Sequence, residues 1–188
     1  MNKLSRFYRQ HPKLALGLLL LTLVSTASAV VYYSLTLRVV VTSAAPKVIF
    51  ITGGDSTAAG ATIGTNSTYA KLTGIKSYPN ATSIYEKALN VSNTDTAAHS
   101  IRLRSVSITG GSSSYGTNGI LIKLVDVAGA VQGTITYNGG GSWSTSGSPT
   151  SYVSLPASTQ WTIRVDSTLS AGQAAGVATT VEIALDVQ

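Results

Sequence analysis

From Val31 to Val41 the chain alternates apolar and polar positions: Val31, Tyr33, Leu35, Leu37, Val39 and Val41 share one parity, and Ser34, Thr36 and Arg38 fall on the other. A period of two puts successive side chains on opposite faces, so this stretch predicts a strand with an apolar stripe. Strand-like runs recur at 47–52 (KVIFIT), 85–93 (YEKALNVSN), 99–109 (HSIRLRSVSIT), 119–127 (GILIKLVDV), 133–138 (GTITYN), 151–156 (SYVSLP), 160–166 (QWTIRVD) and 178–188 (ATTVEIALDVQ). In the 99–109 run Ile101 and Leu103 take the inner face, Val106 and Ile108 compete to continue it, and Arg102 and Arg104 oppose them. In the last run Val181, Ile183, Leu185 and Val187 oppose Thr180, Glu182, Ala184 and Asp186. Clusters of Gly, Ser, Thr and Asn at 109–119, 138–149 and 169–176 read as turns. Residues 81–90 (ATSIYEKALN) also admit a short helical start. Many short strands punctuated by turns predict an all-β fold, an antiparallel sandwich of jelly-roll or Ig-like kind with one face of each sheet wet.

The first 29 residues interrupt that pattern. Lys3, Arg6, Arg9 and Lys13 precede an apolar run at Leu14–Val24, and Ala27-Ser28-Ala29 supplies small residues where a signal peptidase cuts. The span from Leu14 to Tyr33 counts 20 residues, the length of a membrane-crossing helix, so a retained anchor is the competing reading. Ser25, Thr26 and Ser28 weaken the second half of such a helix, and cleavage with Val30 as the new terminus is the expectation. The organisation expected is a signal peptide at 1–29, an extended strand and hinge at 30–45, and a sandwich domain at 46–188. Cleavage of 29 from 188 residues leaves 159, enough for one domain with a sizeable core.

Charge narrows the partners. The formal charge is +6, but four of the 13 Lys/Arg lie in the signal, which leaves nine against seven Asp/Glu. Single dispersed cations do not make a nucleic-acid surface, and membrane contact is expected only through the signal segment before cleavage. There is no cysteine, so a secreted domain of this kind takes its robustness from its core or from assembly.

Candidate chemistry is sparse. Gly54, Asp55, Ser56 and Gly60 after an apolar run resemble the first motif block of GDS-type esterases, in which the serine is the nucleophile. Such hydrolases also need a histidine base and an orienting acid. His99 follows Asp95 in mid-chain as Asp-x-x-x-His, whereas the family places Asp-x-x-His late, so the motif reads as a turn and His99 as a strand-entry residue. One histidine in the chain expected after cleavage, with scattered acids, offers no recognisable ligand set; Asp55 or Asp95 with loop carbonyls would suit only calcium. Asp126, Asp166 and Asp186 read as solvated charges on outer strand faces. No catalytic residue, metal or cofactor is therefore expected. Trp143 in a Gly/Ser loop reads as exposed and Trp161 as core; with Tyr115, Tyr137 and Tyr152 they raise the idea of a sugar-stacking platform. Sequons at Asn66, Asn80 and Asn90, behind an export signal, predict glycosylation of at least one.

The 30–41 strand is about 40 Å long when extended, and its six-residue stripe, loose at a terminus, is an aggregation hazard. It is buried either as the first strand of its own sandwich or as an added strand in a neighbouring subunit. The short join at 42–46 (TSAAP), with Pro46 unable to donate to a ladder, gives the strand the build of an arm. Together with the cysteine-free Thr/Val/Gly-rich sandwich and the run ALNVSNTDTAAHSIRLRSVSITG (88–110), these features resemble the TasA/camelysin-like biofilm fibre proteins, among them archaeal bundling pilus subunits and thread pilins. The resemblance implies a jelly-roll-like subunit of an extracellular, cell-surface filament, polymerising head to tail with itself by donor-strand complementation, with lateral bundling. It also implies that Val31, Tyr33, Leu35, Leu37, Val39 and Val41 form the donor face. Val181, Ile183 and Leu185 are the trial assignment for the acceptor groove. The alternative function is a monomeric secreted or membrane-anchored module binding glycans or a surface layer.

Overall fold

The period-two runs pair into two antiparallel sheets. The computed structural model describes Lys13 and residues 45–175 and 177–188; the strand predicted at 31–41 lies outside the described residues. The chain divides into the units Met1–Ser43 and Ala44–Gln188, and the described strands all belong to the second. They are β1 (Val48–Thr52), β2 (Ala61–Ile63), β3 (Tyr69–Leu72), β4 (Ser83–Asn93), β5 (His99–Thr109), β6 (Ile120–Val125), β7 (Val131–Asn138), β8 (Ser144–Ser146), β9 (Val153–Leu155), β10 (Gln160–Ser167) and β11 (Thr180–Val187). One sheet has the order β1-β4-β10-β6-β7-β8 and the other β2-β3-β11-β5-β9. Among these connections β2–β3, β6–β7 and β7–β8 are same-sheet hairpins and the rest cross between sheets, so the two layers are stitched together along the whole domain.

Each sheet turns its apolar parity inward. Val48 and Phe50 of β1, Leu89 and Val91 of β4, Ile163 and Val165 of β10, and Ile120, Ile122 and Leu124 of β6 meet Ile101 and Leu103 of β5 and Val181 and Ile183 of β11 in one buried cluster. The fold is an all-β antiparallel sandwich, as the alternation predicts. β5 settles the competition between Val106 and Ile108: the ladder steps from Ser105↔Ile183 to Ser107↔Glu182, which makes Val106 the extra residue of a bulge. It turns out to 44% exposure, while Ile108 returns to pack on the core.

The helical start at 81–90 does not form. β4 pairs with β1 over 89–93 and with β10 over 89–92 and 83–85, and these flanking ladders outweigh the local preference of Glu86-Lys87-Ala88-Leu89 for helix. The pairing with β10 slips between Ile163↔Leu89 and Val165↔Tyr85, so the Glu86–Ala88 stretch bulges out of the ladder.

Candidate assembly surface

The Gly-Gly-Asp-Ser segment is held by that bulge. The Asp55 carboxylate accepts from the Lys87 N–H at 2.9 Å, and the Asp55 N–H donates to the Lys87 carbonyl at 3.0 Å. Gly53 runs so close to the same carbonyl that a Cβ would lie 2.0 Å from it. The Ser56 hydroxyl donates back to the Gly53 carbonyl at 2.8 Å. His99 sits at the other end of β1, where the Thr94 N–H donates to the Lys47 carbonyl, so a strand of about 17 Å separates serine from imidazole. Its Nε2 pairs instead with Asp95 at 3.0 Å. The His99 bond and the Thr96 N–H hold the Asp95 carboxyl below its usual range against some desolvation.

The three strand acids are not equivalent. Asp186 lies on the outer face between Arg102 and Arg104, at 3.0 and 3.4 Å. Asp126 is in the β6–β7 turn, where its carboxylate takes the Ala128 and Ala130 N–H groups. Asp166 departs from the expectation of a solvated charge: it is 7% exposed, 2.5 Å from Lys123 Nζ and 2.7 Å from Arg164 Nε. Burial pushes its carboxyl up, but the hydrogen bonds and charges of Arg164 and Lys123 outweigh burial and hold it below the usual range. The depressed folded value means that the pair stabilises the fold above the unfolded carboxylate value of about 3.9 and loses that contribution as pH falls through the lower folded value. Asp166→Asn leaves two half-buried cations facing each other; because both keep some water, the expected cost is about 1–3 kcal/mol. Urea unfolding at neutral pH checks this, and the gap to wild type closes in acid.

Tyr115, Tyr137, Tyr152, Trp143 and Trp161 do not form a surface platform. Tyr115 and Tyr137 are fully buried and Trp161 is buried. Trp143, expected to be exposed, packs against the core with its indole N–H on the Gly110 carbonyl at 2.9 Å and its ring centroid 5.1 Å from that of Tyr115. Tyr152 is the exposed member, and the Arg102 guanidinium covers its ring at 4.6 Å. Of the sequons, Asn66 and Asn80 are exposed in turns, the latter at φ 56°. Asn90 lies within β4, where its Nδ2 donates to the Thr52 carbonyl at 3.3 Å and its Oδ1 is buried without a partner. Among the described residues no group of three or more His, Asp or Glu could hold a metal ion.

Val31, Tyr33, Leu35, Leu37, Val39 and Val41 lie outside the described residues. Val181, Ile183 and Leu185 lie in β11, inside the five-stranded sheet. β3 pairs Val181–Ala184 on one side, β5 runs along the other, and all three side chains are core. An added strand therefore has no backbone edge to join at Val181 and Ile183, and an acceptor belongs at a sheet edge.

Among the described strands the edges are β1, β8, β2 and β9, and β1 is the longest. Lys47, Ile49 and Ile51 turn their backbone groups to β4, which leaves those of Val48, Phe50 and Thr52 facing outward. The Phe50 N–H donates to the Ser67 carbonyl, and the Thr52 carbonyl is taken by Asn90. Among the described residues nothing meets the Val48 N–H and C=O or the Phe50 C=O. The next carbonyl of the 64–68 turn, Thr68, accepts from the Leu185 N–H of β11, so this turn straps the two sheets together at one corner. Beyond the strap Val187 has the inward parity of β11 yet is 37% exposed. Ser67 holds its place in the left-handed region, at φ 57°, a conformation that strains a residue with a side chain. Sequence reading missed the strap because its residues, Gly64-Thr65-Asn66-Ser67-Thr68, look like any polar turn. No family model matches the chain, and no curated protein does.

Proposed function

We propose that this chain is a structural, non-enzymatic subunit of an extracellular filament, polymerising when the N-terminal strand of one copy inserts into the next. The observation that carries the reading is the arm: an alternating strand with six apolar side chains, placed between a cleavage signal and a proline-bearing hinge. A stripe of that size, at about 1.5–3 kcal/mol for each side chain buried, is a strong driving force for association. Insertion into a neighbour is a head-to-tail contact, and such contacts grow into filaments when they do not close. That arrangement supplies persistence to a chain without cysteine. On this reading glycans sit at Asn66 or Asn80, whose side chains are exposed, and Asn90 stays bare.

Removing residues 30–41 from the mature chain is expected to give a subunit that does not polymerise and that binds a peptide of the missing sequence. Wild-type-like fibres from the shortened chain would overturn the proposal. Mass spectrometry of the native protein is expected to find Val30 as first residue and added mass on the peptides carrying Asn66 or Asn80.

A further inference from the structure

We infer that the acceptor for the arm is the outer edge of β1, and that its occupant is residues 31–41 of a second copy of this chain, which displace the strap at Ser67. This rests on the filament reading above and names the surface it uses. Three observations select the edge. β8 and β9 are three residues long, and β8 carries Ser144, Thr145 and Ser146, all exposed, so it leads to no core. The β5 edge past β9 is closed, because the Leu103 C=O and N–H are taken by Thr150 and the Ser105 N–H by Ser148. β2 is also three residues long and its Ala61 and Ile63 are only partly buried, so among the described edge strands β1 is the one whose outward backbone groups belong to fully buried side chains, Val48 and Phe50, and a strand paired there turns its apolar face inward over them. Val187, inward-facing and part-exposed at the same corner, marks the apolar surface that such a strand covers.

The parity of the hinge argues for a second copy over the same one. For the arm to fold back antiparallel on β1 with its stripe inward, an odd-numbered residue has to face an even-numbered one, as in Val41 opposite Val48. Continued to the turn, that register puts Ser43 opposite Pro46, whose position shares the outward parity of Val48 and has to donate an N–H. Proline has none. The two-residue loop left would be Ala44-Ala45, with no residue suited to positive φ, and Ala45 is held extended by the proline after it. A tight return is thus blocked at the hinge, and the described chain leaves β1 through exposed Ala45, Pro46 and Lys47.

The native chain has no cysteine, so paired cysteines map the contact cleanly. The full chain is made with Ser34→Cys, Thr36→Cys or Arg38→Cys in the arm, each combined with one acceptor position: Ile49→Cys on β1, Thr62→Cys on β2, Thr145→Cys on β8 or Ser154→Cys on β9. After assembly and mild oxidation, denaturing gels are expected to show the monomer band lost into a ladder of covalent multimers for a pair with Ile49→Cys and retained for the other edges. A ladder from β2, β8 or β9 instead overturns the β1 assignment and leaves the filament reading standing. A disulfide closed within one chain at Ile49→Cys overturns both, since the arm then shelters in its own copy. Filaments with no disulfide from any pair also overturn the β1 assignment.

Discussion

Leu37→Asp is expected to abolish filament growth at concentrations where wild type polymerises fully, and Arg38→Ser to leave it near wild type. Leu37 shares its parity with Val31, Tyr33, Leu35, Val39 and Val41, so in a paired strand its side chain joins the buried stripe, while Arg38 points the other way. Replacing leucine forfeits about 1.5–3 kcal/mol of burial, and a carboxylate in its place adds a desolvation cost of a few kcal/mol. A combined loss of about 4 kcal/mol per joint lowers the joint's equilibrium constant roughly a thousandfold, and in a head-to-tail polymer every joint carries it. The measurement is the concentration at which filaments first sediment. Equal thresholds for the two variants would mean that the arm is not buried through this face, and the filament reading would go with it.

How much of this was legible from residues alone varies with what each residue answers to. The sandwich was, because alternation reports burial on one face of a strand, and the 99–109 run has its bounds in β5 unchanged. The bulge at Val106 was half legible: Val106 and Ile108 both have the wrong parity to follow Leu103 at period two, so the strand has to slip by one residue, but only the partner strand decides where it slips and which of the two is expelled. β2 and β3 escaped because Ala61–Ile63 and Tyr69–Leu72 are too short to show a period, and β8 because Ser-Thr-Ser has no apolar face. Asp166 looked solvated because only half of its pairing is local: Arg164 lies two residues before it, but Lys123 comes from the neighbouring strand β6, and the burial comes with that pairing. The acceptor edge was beyond reach for a deeper reason. Which backbone groups stay unpaired depends on strand order, and strand order is carried by no single residue.

Tyr115→Ala is expected to cost the domain about 3–5 kcal/mol, the range for emptying an aromatic-sized site in a core. Composition points the other way, because Tyr115 lies in the Gly/Ser-rich stretch 109–119 that reads as an exposed turn. In the fold it is 1% exposed and ties its own turn cluster to the 138–149 cluster and to Ser77 and Thr179. Its hydroxyl meets Ser77 Oγ at 2.7 Å and Thr179 Oγ1 at 3.3 Å, and Ser77 in turn bonds Ser167 at the end of β10. Its ring leans on Trp143, and its carbonyl lies so near Gly139 that a Cβ there would come within 2.3 Å of it. The Gly139 N–H donates to Gly116, and the Gly140 N–H to Ser112. Tyr115→Phe keeps the ring and loses only the hydroxyl, so its cost is about 1 kcal/mol, with the Thr179 hydroxyl left short of a partner. For a domain of this size the alanine variant is expected to melt roughly 10 °C or more below wild type and the phenylalanine variant a few degrees below. Calorimetry of the three proteins, with urea midpoints alongside, separates packing from hydrogen bonding. If the alanine variant melts with wild type, the Gly/Ser loops are held by their backbones alone and the buried tyrosine is not their anchor.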